Sequence, residues 1–327
     1  MIRFRPTGLY GLVAAVAFAA VAPIALAQNY PSGPMRIISP YPPGGGTDIL
    51  GRAIGQKLTE SFRQPVVVEN RAGANGTIGT AFVAKAPADG HTILIVPAGY
   101  ASNPALYASL PYDQARDLTP VSLLASGPLV FVVHPSLPAR SLKEFIALAR
   151  ARPGTINYGT PGAGALPHLS AELFNNMAGI KMVHVPYKGP STAIIDLMSG
   201  QISAYFMNIL QSLPLVKAGK LRALGVTSPQ RSPIAPDLPA IAEAGLPGFD
   251  MTNWYGMLVP AGTPRETINK LQQEVARILN LHELKDRLAN DGMIVIAGTP
   301  ENFASFLIQE TAKFNRIIEA AAIRNSQ

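Results

Sequence analysis

Cysteine is absent from the 327 residues. Disulfides, thiolate metal sites, iron–sulfur clusters and a cysteine nucleophile are excluded with it. An oxidising compartment is not excluded, because a chain of this length can build a core without disulfide staples. Charge is scarce too. Asp, Glu, Lys and Arg make up 14% of the chain, against about 25% in an average soluble protein. Basic residues are scattered, with no block of five or six, so the clustered stripe of a nucleic-acid binder is missing. There are five histidines, none at metal-ligand spacing. The chain has no G-x-x-x-x-G-K-[S/T], no G-x-G-x-x-G and no G-x-S-x-G. The common nucleotide loops and the α/β-hydrolase elbow are therefore excluded.

What is present is a large apolar fraction, 48%, with 29 glycines and 30 prolines. In a hydrophobic chain this means many tight turns, since disorder needs low hydrophobicity. The first 27 residues stand apart. Arg3 and Arg5 precede an uncharged run from Leu9 to Ala20, and Ala25-Leu26-Ala27 fits the A-x-A pattern. This is the layout of a secretory signal peptide cleaved after Ala27. The run falls short of the ~20 residues of a membrane span, and Pro23 interrupts its end. The formal charge of +7 falls by two when Arg3 and Arg5 leave. The mild positive field that remains suits an anionic small molecule.

The rest of the chain alternates short β-branched runs with amphipathic stretches. Met35–Ser39, Pro65–Glu69, Thr92–Val96 and Leu129–His134 read as strands, with Asp48–Phe62 and Thr77–Ala86 as helices between them. A second series follows, from a helix over Ser141–Arg152 to a strand over Arg222–Thr227. Ser141 and Glu144 form a capping-box pattern at its start. The tail reads as strand Tyr255–Val259, helix Pro264–Leu279 capped by Thr263, strand Met293–Ala297 and helix Pro300–Ala322. This is the βαβ pattern of an α/β fold with a largely parallel sheet.

Five glycine- or proline-rich loops follow strands: Tyr41–Asp48, Asn70–Thr77, Pro97–Pro104, Tyr158–His168 and Pro186–Pro190. Ligands of open α/β sheets sit beyond the carboxyl ends of the strands. A glycine run opening a helix turns its N–H groups toward one point, which makes an anion site from backbone alone. Thr47 or Asp48 can cap the first helix. His168 has three readings: a base, an anion holder, or a brace for its own loop. Trp254 reads as hinge or core.

The runs Arg36–Asp48, Gln64–Gly79 and Leu106–Leu118, then Val185–Gly189, Lys217–Ser228 and Glu243–Phe249, resemble the Bug (TctC-like) family. These are extracytoplasmic solute-binding receptors linked to tripartite tricarboxylate transporters. The resemblance implies a two-lobed type II periplasmic-binding fold with a central ligand cleft. Residues 28–125 plus 254–327 form lobe one in this reading, and residues 126–253 form lobe two. It implies a periplasmic, monomeric, non-enzymatic protein with neither cofactor nor metal. The implied partners are a small carboxylic acid and the membrane components of the transporter. Carried over, the ligand residues of lobe one are Tyr41, Pro43, Gly44, Gly45, Thr47, Asp48, Asn75, Ala98, Tyr100 and Ser102. Those of lobe two are Thr160, Gly162, Gly164, His168, Tyr187, Met207 and Asn208. Two positions depart from the family pattern. Ala165 stands where a hydroxyl is common, and Met207 where Asp is common. Both changes favour an acid with an apolar body over an amino acid. The alternatives are a sensor for a membrane signalling partner, or a secreted hydrolase or lyase using His168 or Asp48 as base.

Overall fold

The computed structural model describes residues 30–323 together with the first two. The expected leader run and its cleavage site lie outside the described residues. Among those described, no helix is long and apolar enough to cross a membrane.

The chain begins with two βα units and a third strand: β1 (Met35–Ser39), α1 (Gly46–Phe62), β2 (Val66–Asn70), α2 (Thr77–Ala84) and β3 (Thr92–Pro97). A 3-10 turn over Ala98–Ser102 leads into the four-residue α3 (Asn103–Leu106). Strand β4 (Leu118–Gly127) runs almost directly into β5 (Leu129–Val133). Then come α4 (Leu142–Ala151), β6 (Asn157–Thr160), α5 (Leu166–Ala178), β7 (Val183–Pro186) and α6 (Pro190–Met198). Next are β8 (Ala204–Asn208), α7 (Ile209–Lys217), β9 (Arg222–Val226) and α8 (Ile241–Ala244). The chain closes with β10 (Asn253–Pro260), α9 (Arg265–Leu279), α10 (His282–Asn290), β11 (Ile294–Val295) and α11 (Pro300–Ala320).

The strands form two sheets. One has the order β11-β4-β10-β3-β1-β2, the other β7-β6-β8-β5-β9. Both are mixed, which corrects the expectation of a largely parallel sheet. β1 is parallel to β2 and β3, while β10 runs antiparallel to β3 and β4. In the second sheet β6 is parallel to β7 and β8, and β5 is antiparallel to β8 and β9. Sequence reading missed β4 because Pro120 sits inside it. The pairing shifts register between Met257 and Leu258, and Leu258 then faces Pro120. A bulge accommodates a residue that cannot donate to the ladder.

Helix starts follow their caps. Ser141 Oγ accepts from the Glu144 N–H, as its sequence predicts, and Thr299 accepts from the Asn302 N–H. Thr263 does not cap α9. Its hydroxyl donates to the Pro260 carbonyl, and Pro264 holds the cap position. Phe131, stacked on Phe206 at 4.6 Å and edge-on to Phe145 at 4.9 Å, centres the core of the second sheet. Such pairs add about 0.5–1.5 kcal/mol each beyond their buried area.

Trp254 and Phe303 are both fully buried and meet edge-on. Gly256 lies one strand repeat beyond Trp254, on the same face, where an added β-carbon would collide with the Phe303 ring. Gly256→Ala is therefore expected to cost about 1–3 kcal/mol through overpacking. Urea unfolding checks this, as a lower midpoint at unchanged slope.

Candidate functional site

The carboxyl ends of β1, β2 and β3 bring three loops of the first sheet together. Tyr41, after β1, donates its hydroxyl to Asn75 O and to Asn75 Oδ1, both at 3.1 Å. Asn75 Nδ2 donates to Asn103 Oδ1 at 2.9 Å and to Gly99 O at 3.5 Å. Asn103 Nδ2 returns to Asn75 O and also reaches the Tyr112 hydroxyl. One network thus ties the three loops. Asn75 is held in an unusual backbone state. Gly73, Ala74, Asn75 and Gly76 all have positive φ, at 137°, 45°, 50° and 85°. Two of the four carry a side chain, and such conformations persist only where the surroundings impose them.

β10 supplies residues that sequence reading missed. Asn253 Oδ1 accepts from the Ala98 N–H at 3.4 Å, and its Nδ2 donates to the Tyr255 hydroxyl at 2.9 Å. An added β-carbon on Gly46 would collide with that hydroxyl, so the glycine triplet abuts Tyr255. Nothing local in the sequence marks Asn253 or Tyr255, because they reach the site through a strand from far along the chain.

The second sheet offers a matching set of strand ends. Thr160 Oγ1 lies 2.6 Å from His184 Nε2 and accepts from the Gly162 N–H at 3.3 Å. The Tyr187 N–H donates to Thr160 O at 2.9 Å, and its hydroxyl donates to Asp196 at 2.7 Å. Asn208 spends its carbonyl oxygen on the Leu210 N–H as the α7 cap. α3 bridges the two sets. Asn103 at its start belongs to the first network. Leu106, one turn on, packs where a β-carbon of Gly164 would have to sit.

The site is electrically quiet. Burial pushes the Tyr255 hydroxyl up to about 12, against the opposing Asn253 hydrogen bond. Burial and then Asp196 raise the Tyr187 hydroxyl to about 12. Both are neutral donors at pH 7. Burial alone would raise the Asp48 carboxyl, but hydrogen bonds from Arg52, the Gly44 N–H and Asn70 hold it below its ordinary value. Asp48 and Arg52 form an ion pair at 2.9 Å, so this carboxylate is committed. Neither Thr47 nor Asp48 caps α1. Gly45 holds that position, and Thr47 Oγ1 pairs with Ser39 Oγ at 2.8 Å. α1, α2 and α5 all begin without a side-chain cap, which leaves first-turn amides to other acceptors.

Several expected ligand residues are enclosed. Tyr100 and Met207 are almost wholly or wholly buried in hydrophobic clusters, so their side chains belong to the core. Ala98 is fully buried as well. Ser102 is buried with its hydroxyl on Gly99 O, while Pro43 and Gly44 are exposed. His168 is the brace of its loop. Its Nδ1 accepts from the Gly164 N–H at 2.9 Å, and its ring stacks on His184 at 3.9 Å. Burial, then His184, pushes it down to about 3, and it is neutral at pH 7. Crevices of about 530 and 750 Å³ open elsewhere, and one of about 730 Å³ meets this set only at Pro104 and Tyr112.

A family profile described as the tripartite tricarboxylate transporter family receptor matches residues 50–323. The chain belongs to this receptor family. Bordetella pertussis BugT is 38% identical over 279 residues, covering 85% of this chain and 86% of BugT. Among solved structures, R. palustris Rpa4515 with adipate has 36% identity and a TM-score of 0.81, covering 90% of this chain and 99% of that one. MatC from Rhodopseudomonas palustris with bound malate has 30% identity and a TM-score of 0.77, covering 88% and 100%. The receptor therefore has the two-sheet α/β fold of periplasmic binding proteins and a solute-binding role, and it is not an enzyme. The reading of His168 or Asp48 as a catalytic base falls with that.

The His168 brace has a pH signature. Above about pH 6.5 the imidazole is neutral in both folded and unfolded chains. Below that, the unfolded chain takes up a proton that the folded one refuses until about pH 3. Stability should fall as pH drops through this window, by at most about 1.4 kcal/mol per unit for one proton. Burial also lowers His184, which adds to the slope. Urea midpoints at about pH 7, 6 and 5 check this, before carboxylates dominate. His168→Asn, which keeps an acceptor for Gly164, should flatten the slope.

Proposed function

We propose that the receptor is exported to the periplasm, captures a small organic acid between two lobes and delivers it to the membrane components of a tripartite tricarboxylate transporter. Residues 28–125 with 254–327 make one lobe, and residues 126–253 the other. One observation carries this reading: α3 joins the strand ends of both sheets, with Asn103 bonded to Asn75 of the first and Leu106 packed at Gly164, just before the uncapped start of α5, of the second. Oriented amides suit a carboxylate without a dedicated cation. Adipate and malate in the two related structures support the same ligand chemistry.

The energetics are sufficient. A micromolar affinity needs about −8 kcal/mol. Charge-assisted hydrogen bonds contribute about 1.5–3 kcal/mol each, so about four, at the upper end of that range, leave a margin for ordering and closure. Hinge closure is the usual motion of such receptors. Ala165, at the start of α5, provides no polar group for a ligand ammonium, so the acid has an apolar body in place of an amino group.

Calorimetry with adipate, malate, benzoate and glutamate tests this. An unsubstituted acid is expected to bind most tightly. Glutamate binding tenfold more tightly than every other acid would overturn the preference. Asn75→Asp places a carboxylate in the Tyr41–Asn103 network and should weaken the best acid at least about tenfold, or ~1.4 kcal/mol. Uptake of the labelled acid by cells lacking the receptor tests delivery, and undiminished uptake would count against it.

A further inference from the structure

The chain passes between the two sheets twice. Gly127 and Pro128 lead from β4 into β5, and residues 250–252 lead back toward β10. Asn253 and Trp254 pair with Gly127 and Ser126, so the crossings lie side by side. The Met251 N–H still donates to Thr227 O, just past β9, at 3.0 Å. The passage back is therefore confined to about three residues.

α11 clasps this passage. Trp254 donates its indole N–H to Glu310 Oε2 at 2.9 Å. Lys313 Nζ lies 2.6 Å from Glu310 Oε1 and donates to the Asp250 carbonyl at 3.4 Å. Glu310 is 6% exposed and Trp254 is 1% exposed. Phe306 closes one side of the indole, with ring centroids 5.6 Å apart. A buried carboxylate is costly unless its oxygens are matched, and both are matched here. Buried ion pairs add little net stability compared with apolar packing. Their best-attested use is to select one arrangement among several, as polar residues do in coiled-coil registers. A crevice of about 530 Å³ runs beside the clasp, lined in part by Ser126, Pro128, Arg231, Thr252 and Ile296. The lobes have room there to change their angle.

We propose that Glu310 is a positioning residue for ligand capture. Through Trp254 and Lys313 it sets the angle at which residues 250–254 leave α11, and hence the separation of the two loop sets that hold the acid. This rests on the two-lobe capture reading above. Glu310 lies outside the ligand loops and acts only through the passage.

The double variant Glu310→Gln/Lys313→Met tests it. Both charges leave together, so no lone buried charge remains to unfold the chain. Three quantities are read: the adipate dissociation constant by calorimetry, the ligand-free radius of gyration by X-ray scattering, and Trp254 emission. Trp254 is the only tryptophan, so its emission reports the clasp alone. The expected result is a larger radius of gyration, shifted emission and about a fivefold weaker dissociation constant. The last follows if the binding-competent angle drops to about a fifth of the population. An unchanged radius of gyration, or an unchanged dissociation constant with shifted emission, overturns the proposal. A lower urea midpoint alone also overturns it and leaves Glu310 a merely structural role. If none of the acids binds the wild-type protein, the capture reading fails, while scattering still decides the clasp. Should the double variant not fold, Glu310→Gln is measured the same way, because the charge it leaves, on Lys313, is partly exposed at 22%.

Discussion

The structure depends on β10 lying between β3 and β4. This strand is almost wholly buried, and it pairs antiparallel on both sides. Strand alternation then gives its residues two destinations. Asn253 and Tyr255 join the loops at the ends of β1 and β3. Trp254 and Gly256 face the other way, toward Glu310 and Phe303 on α11. One strand thus joins the loops of the first sheet to the passage between sheets, and no local element could replace it.

A second constraint is electrostatic. The loops carry amides, hydroxyls and carboxamides; Asp48 and Arg71 are paired, and the Lys188 side chain lies exposed. Tyr255 and Tyr187 remain protonated, His168 is uncharged, and Asp48 holds Arg52. A site of this kind favours an anion through fixed dipoles and avoids the desolvation cost of a buried cation. It also explains why a low-charge chain can serve a charged ligand.

Much of the fold was legible because periodicity and caps are local. The strands over Met35–Ser39 and Thr92–Val96 and the cap Ser141 follow from neighbouring residues alone. Other features were hidden for physical reasons. β4 contains Pro120, which reads as a break until β10 supplies a register shift. α7 has Pro214 inside it. Thr263 looks like a cap, but its hydroxyl finds a carbonyl in the preceding turn. At the site, Asn75 and the glycine triplet were visible as loop residues, whereas Asn103 and Asn253 matter only through partners distant in sequence. Tyr100 and Met207 were expected at the ligand, but the alternation of the sheet and the path of the 3-10 turn direct them into the core.

The sequence by itself determined an α/β chain with glycine-rich strand ends, and it excluded thiol and nucleotide chemistry. Those properties rest on composition and on contacts within a few residues. Only the tertiary structure decided which way β10 runs, which asparagines close the loop network, and that Trp254 is held by a buried carboxylate on α11. These depend on pairings between residues tens to more than a hundred positions apart, which no local pattern encodes.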